Sequence, residues 1–230
     1  MLAQPISGDD QVFFHPNQYL TRENEHVDRM FYVQEGWACR YRLITDGRRQ
    51  ITALYLPGDC CDPLWALGRT PSQPVVAITN VRAVMLPCHS DPASVDQRQW
   101  LWQNFADQCD RQTNWLVTLG RGTALERLAH LFLELFERMR KSGFAYGEQC
   151  ALPLTQMDIA DMTGLTSVHV NRTLQSMRAK GLIELHAKWL RIPDRQALCD
   201  AATLGADAEA QSTGGARRSI TARRIDREAH

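Results

Sequence analysis

The stretch from Leu154 to Leu174, LTQMDIADMTGLTSVHVNRTL, constrains the fold more than any other part of this chain. Two short helical patterns meet there at one glycine. Ile159 and Ala160 lie on the inner face of the first, Gly164 and Leu165 make the turn, and Val170 and Leu174 recur at i, i+4 on the second. Thr155 is followed three residues later by Asp158, as in a capping box, and Thr166 stands where the second helix needs an N-cap. Gly164 suits a corner that demands positive φ, where a Cβ is costly. The second helix is predicted to run to about Lys180, with Gly181 as its stop. The whole reads as a helix-turn-helix.

With Leu165, Val170, Leu174 and Met177 packed inward, the 3.6-residue period turns Ser167, Val168, Asn171, Arg172 and Gln175 outward together. Arg bonds bidentately to guanine O6 and N7, while Asn and Ser reach adenine edges or phosphate in a major groove. Thr166 at the cap and His169 on the flank complete the candidate DNA-contacting set on this helix. The plainer alternative is a helical hairpin with a solvated polar face. The next stretch of chain weighs against it: Leu182 to Leu185, then His186-Ala187-Lys188, then Trp189 to Ile192 closed by Pro193, read as a two-stranded hairpin. A helix-turn-helix joined to such a hairpin is a winged helix. Lys188 at its tip and Arg191 beyond it are placed either to hold phosphate, which fixes register without reading sequence, or to stand as solvated surface charge.

Twenty-six basic residues balance 26 acidic ones, so no global field draws this chain to DNA and the reading rests on local charge. At 230 residues there is room for two modest domains, and 44% hydrophobic with 23% charged residues match an ordinary soluble protein. No apolar run approaches the ~20 residues of a membrane span, and the start lacks the basic-then-apolar order of a signal peptide. A cytoplasmic location without membrane contact is therefore expected. Seven cysteines, at 39, 60, 61, 88, 109, 150 and 199, include no C-x-x-C pair. That suits a reducing compartment and argues against disulfides or structural zinc. No Gly-rich phosphate loop, paired metal ligands or G-x-S-x-G elbow supports an enzyme, so neither a catalytic residue nor a metal ligand is nominated.

Residues 1 to about 29 are polar and weakly patterned. From Met30 the chain turns to short β segments: FYVQEGWACRYRLIT, a hairpin turn at Asp46-Gly47, RRQITALYLP, a tight turn at Pro57-Gly58-Asp59, and strands at Pro74 to Ile78 and Arg82 to Leu86. Many short strands joined by Gly and Pro turns imply a small barrel or sandwich. Beyond Pro92 the pattern is helical. Trp102, Phe105, Cys109, Gln112, Leu116 and Leu119 fall at spacings of 3, 4, 3, 4 and 3, an a/d seam over nearly three heptads. Such a stripe either pairs two copies or packs on its own domain. A symmetric dimer suits a helix-turn-helix, because paired units read half-sites about one DNA turn apart. Gly120 and Gly122 are expected to break that helix and to form a hinge. Thr123 and Glu126 open an apolar helix to about Lys141, Ser142 to Glu148 is expected as a loop, and the tail past Ala202 as disorder.

A strand-rich domain, a long helix and a winged helix, in that order, resemble the Crp/Fnr family of bacterial transcription regulators. The likeness covers roughly residues 30 to 200, most specifically GRRQITALYLPGD, TALERLAHLF and LTQMDIADMTGLTSVHVNRTLQSMRAKGLI. It implies an α+β fold: a cyclic-nucleotide-binding-like jelly roll at 1–93, a dimerisation helix at 94–120, a winged helix-turn-helix at 121–202 and a tail at 203–230. It further implies a homodimer that binds double-stranded DNA, contacts RNA polymerase and senses a signal, an unidentified small-molecule effector, through the β domain. By this likeness Ser167, Val168, Asn171 and Arg172 occupy base-reading positions, Arg172 matching a recurrent guanine-contacting arginine. The family often has a glutamate where Val168 stands; valine offers only apolar contact, so a different half-site is expected.

In members that bind cyclic nucleotide, a glutamate holds the ribose and an arginine plus serine hold the phosphate. Here the matching stretch is GDCCDPLWALGRTPSQPVVA, with Pro63 near the glutamate's place and Gln73-Pro74 near the Arg-Ser. Cyclic nucleotide is therefore not expected by the usual route, although Arg69 in the same loop offers a substitute cation; Asp59, Cys60, Cys61, Asp62 and Arg69 are the candidate effector-binding residues. The cysteine cluster that holds an iron-sulfur centre is absent. Cys60-Cys61 as a thiol switch and Cys88-His89 as a haem ligand pair compete with the usual role of free cysteine as a small buried hydrophobe, so neither haem nor any other cofactor is nominated. The competing functional class is a sensor or adaptor whose winged helix binds protein rather than DNA.

Overall fold

The computed structural model describes residues 10–62, 65, 69–87 and 95–203. Pro63, the Cys88-His89 pair and the tail expected to be disordered lie outside the described residues. The first half is built from β1 (Gln11–Phe14), β2 (Tyr19–Thr21), β3 (Arg29–Glu35), β4 (Ala38–Leu43), β5 (Arg49–Tyr55), β6 (Val75–Ala77) and β7 (Val81–Pro87). They form two antiparallel sheets, ordered β1-β7-β3 and β2-β6-β4-β5. Met30, Val33, Ala38, Tyr55, Trp65, Val75 and Val84 are buried in one core of this β-roll. Two strands thus precede Met30, where the sequence shows only a polar stretch. They are strands because β7 and β6 supply ladder partners, and Phe14 packs edge-on against Phe31 at 5.4 Å.

The second half opens with α1 (Val95–Arg121) and α2 (Ala124–Lys141). Gly120 does not break α1, which runs through it; the break is Gly122-Thr123 alone, and the Gly122 N–H still donates to Thr118 O at 2.8 Å. Thr123 then caps α2 with the expected box: Glu126 N–H donates to Thr123 Oγ1 at 3.3 Å, and Thr123 N–H to Glu126 Oε2 at 2.6 Å. The segment expected as a loop, Ser142 to Glu148, instead holds β8 (Ala145–Tyr146) and a turn at Gly147, and β8 forms a hairpin with β9 (Gln149–Ala151) just beyond it. The helix-turn-helix is α3 (Gln156–Thr163) and α4 (Ser167–Ala179), with the wing strands β10 (Glu184–His186) and β11 (Trp189–Arg191) after it. Because β11 also pairs with β9, the wing is a four-stranded sheet, β10-β11-β9-β8, rather than a lone hairpin. A further helix, α5 (Arg195–Ala202), capped by Asp194, buries Leu198 beside α2 and carries the Arg195–Glu137 pair at 2.8 Å.

The two halves share a core. Trp37, Cys39, Ile51, Leu54 and Leu56 from the β-roll belong to one buried cluster with Leu128, Phe132 and Leu135 of α2 and with Ile159, Ala160 and Met162 of α3. Apolar contact of this kind is the main favourable term in holding two units together. Its consequence is that the reading elements are packed on the β-roll, not strung from it.

Candidate nucleic-acid interface

The corner between α3 and α4 matches the sequence pattern closely. Asp158 N–H donates to Thr155 Oγ1 at 3.1 Å and Thr155 N–H to Asp158 Oδ2 at 2.9 Å, closing the capping box of α3. Gly164 ends that helix at φ 65°, ψ 28°, and Thr166 Oγ1 accepts from His169 N–H at 3.2 Å to start α4. Arg127 of α2 reaches across to donate to Thr163 O at 3.0 Å, satisfying a carbonyl at the end of α3. Val170, Thr173, Leu174 and Met177 are buried under α4.

What α4 turns outward is the expected set. Thr166, Val168, His169, Asn171, Arg172 and Gln175 are exposed, while Ser167 is half-buried. Val168 is 69% exposed, too much for a side chain whose role is core packing. Arg178 and Lys180 add cations, and no acidic residue occurs between Ser167 and Lys180. Among the described residues no carboxylate pairs with Arg172 or Lys188. Arg191 is different: Glu184 holds it at 3.0 Å and Glu148 at 3.2 Å, so this wing cation already has partners within the sheet.

Lys188 stands at the wing tip in a two-residue turn, with Ala187 at φ 48° and Lys188 at φ 65°. Such primed turns match strand twist but ordinarily use Asn-Gly, since left-handed backbone costs other residues ~1 kcal/mol or more each. The turn is held because Leu152 N–H donates to Lys188 O at 2.7 Å, leaving the ammonium projecting. Strained backbone held in place by its surroundings is a recurrent mark of functional loops.

The α1 seam also faces outward. Gln108, Trp115 and Thr118 are the buried side of the helix, whereas Trp102, Cys109, Gln112 and Leu116 are exposed; Phe105 and Leu119 are half-buried against their own chain. The effector candidates, by contrast, do not converge on one open site. Asp59 Oδ2 accepts from Arg138 at 2.5 Å and from Leu56 N–H at 2.7 Å, Asp62 pairs with Arg40 at 2.8 Å, and only Arg69 is exposed. Cys60 and Cys61 are buried, and burial, with the neighbouring thiol and carboxylates, pushes the Cys61 thiol well up. A thiolate switch needs access, which neither thiol has, and a depressed pKa, the opposite of what Cys61 shows. In the stretch matched by resemblance to a phosphate cassette, Gln73 Oε1 accepts from Thr52 Oγ1 at 2.5 Å, and Arg40 donates to Asp62 and Thr52.

Arg49 carries no local signal of function, because its partners Asp158 and Asp161 lie 109 and 112 residues away. It nevertheless grips the first helix of the reading unit.

A β-roll, a long helix and a winged helix-turn-helix with an unpaired cationic reading face define a DNA-binding transcription regulator. Residues 11–90 match the cyclic nucleotide-binding domain family and residues 126–201 the Crp-like helix-turn-helix domain. The chain is 30% identical over 201 residues to the nitrogen fixation regulation protein FixK of Azorhizobium caulinodans, covering 84% of this chain and 73% of that one. It is 27% identical over 188 residues to the transcriptional activator protein FnrL of Cereibacter sphaeroides, covering 76% and 73%. Among solved structures, FixK2 from Bradyrhizobium japonicum is similar with a TM-score of 0.73 at 27% identity, covering 84% of this chain and 96% of that one. The chain belongs to the Crp/Fnr family of transcription regulators. Its likeness to named regulators and activators disfavours the adaptor reading, in which the winged helix binds only protein.

Proposed function

We propose that this regulator acts as a homodimer, joined along the α1 seam, that reads a palindromic operator with two copies of α4 and contacts RNA polymerase from the bound site. Arg172 bonds guanine bidentately, Asn171 and Gln175 reach neighbouring base edges, Val168 meets a thymine methyl, and Lys188 holds phosphate. The observation that carries this reading is the outward face of α4, where exposed polar side chains surround a guanidinium that no described carboxylate neutralises. Zero net charge on the chain fits it, because local cations steer while the rest of the surface avoids indiscriminate binding.

The β-roll serves as the signal-sensing half, and its residues do not fit a cyclic nucleotide: Gln73 and Pro74 offer neither a cation nor a second N–H for the phosphate. No catalytic step enters the reading. No described helix is long and apolar enough to cross a membrane. With DNA as its partner, the chain works in the cytoplasm.

Duplexes selected from a random pool test the proposal. The wild type is expected to recover a two-fold-symmetric site with affinity falling steeply as salt rises. Arg172→Ala should lose ~1–3 kcal/mol on that site and relax preference at one base pair of each half. Unchanged preference in this variant overturns the assignment of α4.

A further inference from the structure

β5 is tied to the DNA-binding half at both of its ends. At its start, Arg49 Nη2 donates to Asp158 Oδ1 at 2.5 Å and Nε to Asp161 Oδ2 at 2.6 Å, so one guanidinium fork spans two carboxylates on the same face of α3. Gln50 Nε2 adds a bond to Met162 O at 3.2 Å, at the end of that helix. Near its other end, Arg138 of α2 donates to Leu54 O at 2.6 Å and to Asp59 at 2.5 Å. The two ties lie about 17 Å apart along an extended strand. Between them Ile51 sits in the shared core with Ile159, Ala160 and Met162.

The fork is not a loose surface pair. Side-chain exposures of 29%, 13% and 15% for Arg49, Asp158 and Asp161 exclude most solvent. The Arg49 guanidinium also lies 5.8 Å from the Tyr41 ring centroid, and the Tyr41 hydroxyl is 3.1 Å from that of Tyr19, so the cation is oriented from behind as well. Charge-assisted, two-point contacts fix angle as well as distance. On the other side, α3 and α4 pack on one another across the Gly164 corner, so whatever holds α3 also holds α4. The covalent link from α1 to α2 is only Gly122-Thr123.

We infer that Arg49, a residue of the β-roll, is a positioning residue for DNA reading: its grip on Asp158 and Asp161 fixes α4 relative to α1, and so sets the half-site spacing at which both reading helices engage together. This inference rests on the paired-head reading proposed above. Simultaneous engagement multiplies affinity only when geometry permits it, so an orientational tie appears in binding as sensitivity to spacing.

The test is anisotropy titration of the full chain against the selected operator, against duplexes with the half-sites moved apart or together by single base pairs, and against one half-site alone. The wild type is expected to lose at least about tenfold on a one-base-pair change. Arg49→Gln, and separately Asp161→Asn, which leaves the Thr155–Asp158 capping box intact, should reduce that loss to about threefold or less while single half-site affinity stays within about twofold. Melting curves confirm that each variant is folded at the assay temperature; a loss of folded fraction alone lowers all duplexes together and leaves the spacing profile unmoved. Variants with the wild-type spacing profile overturn the inference. So does equally tighter binding to every duplex, which marks the contact as a restraint on DNA binding. A wild type without any optimum overturns the paired-head reading itself, and this inference with it.

Discussion

Two glycines separate what a residue contributes locally from what the fold demands of it. Gly164 adopts φ 65° at the corner of the reading unit, and a Cβ built there meets only the Arg127 side chain at 3.8 Å. Gly36 adopts φ 84° between β3 and β4, where a Cβ falls 2.0 Å from the Asn80 carbonyl oxygen and 2.9 Å from Thr79 Oγ1, the group that accepts from Trp37 N–H. Gly164→Ala should therefore cost ~1–2 kcal/mol, the left-handed strain alone. Gly36→Ala should cost ~3 kcal/mol or more, since the turn must also move off a neighbouring backbone. Denaturant midpoints of the two variants check the order; equal losses contradict it. Only the first glycine announces itself in the sequence, through the helical patterns on either side. The second is required by Asn80, far along the chain, and no window around Gly36 contains that fact. Arg49 is hidden for the same reason: an arginine in an alternating strand looks like surface until the fold brings α3 against it.

At the scale of elements, legibility depends on how much of an element's stabilisation is internal to it. The capped helices α2, α3 and α4 carry their own start signals and periodicity, and their bounds match the pattern closely. The strands β1, β2, β8 and β9 are two to four residues long and exist through ladder partners. The α1–α2 contact gives an element-scale prediction. Trp115 stacks on His130 with ring centroids 5.6 Å apart, and His130 Nδ1 is buried without a hydrogen-bond partner among the described residues. Burial holds the His130 pKa below its ordinary value, with Glu134 opposing. The unfolded chain therefore binds this proton more readily than the folded one, and stability falls as pH drops through the unfolded imidazole range, near ~6.5. His130→Phe keeps a ring against Trp115 but takes up no proton. Melting temperatures taken between about pH 8 and 5.5 should fall less in the variant than in the wild type. Parallel curves refute the assignment.

For the whole molecule, what matters is which apolar surface the chain buries itself and which it leaves. The inner side of α1 is used, yet Trp102 remains 63% exposed and Leu116 73% exposed on the opposite side, in register with Cys109 and Gln112. Trp102 and Phe105 meet edge-on at 6.1 Å, extending the stripe toward the β-roll end of the helix. A large apolar patch left uncovered on a polar chain calls for a partner surface, and an a/d stripe is complementary to a second copy of itself. Leu116→Glu places a charge at the seam without touching the fold, so unfolding free energy should change by no more than about 0.5 kcal/mol. In sedimentation at micromolar concentration the wild type is expected as a dimer and the variant as a monomer. On the selected operator the variant should bind no better than the wild type binds an isolated half-site, because the avidity of two heads is gone. A variant that sediments as a dimer removes α1 as the seam. A monomeric variant that keeps full operator affinity shows instead that one reading head suffices, and then neither the palindrome nor the spacing imposed through Arg49 has a physical basis.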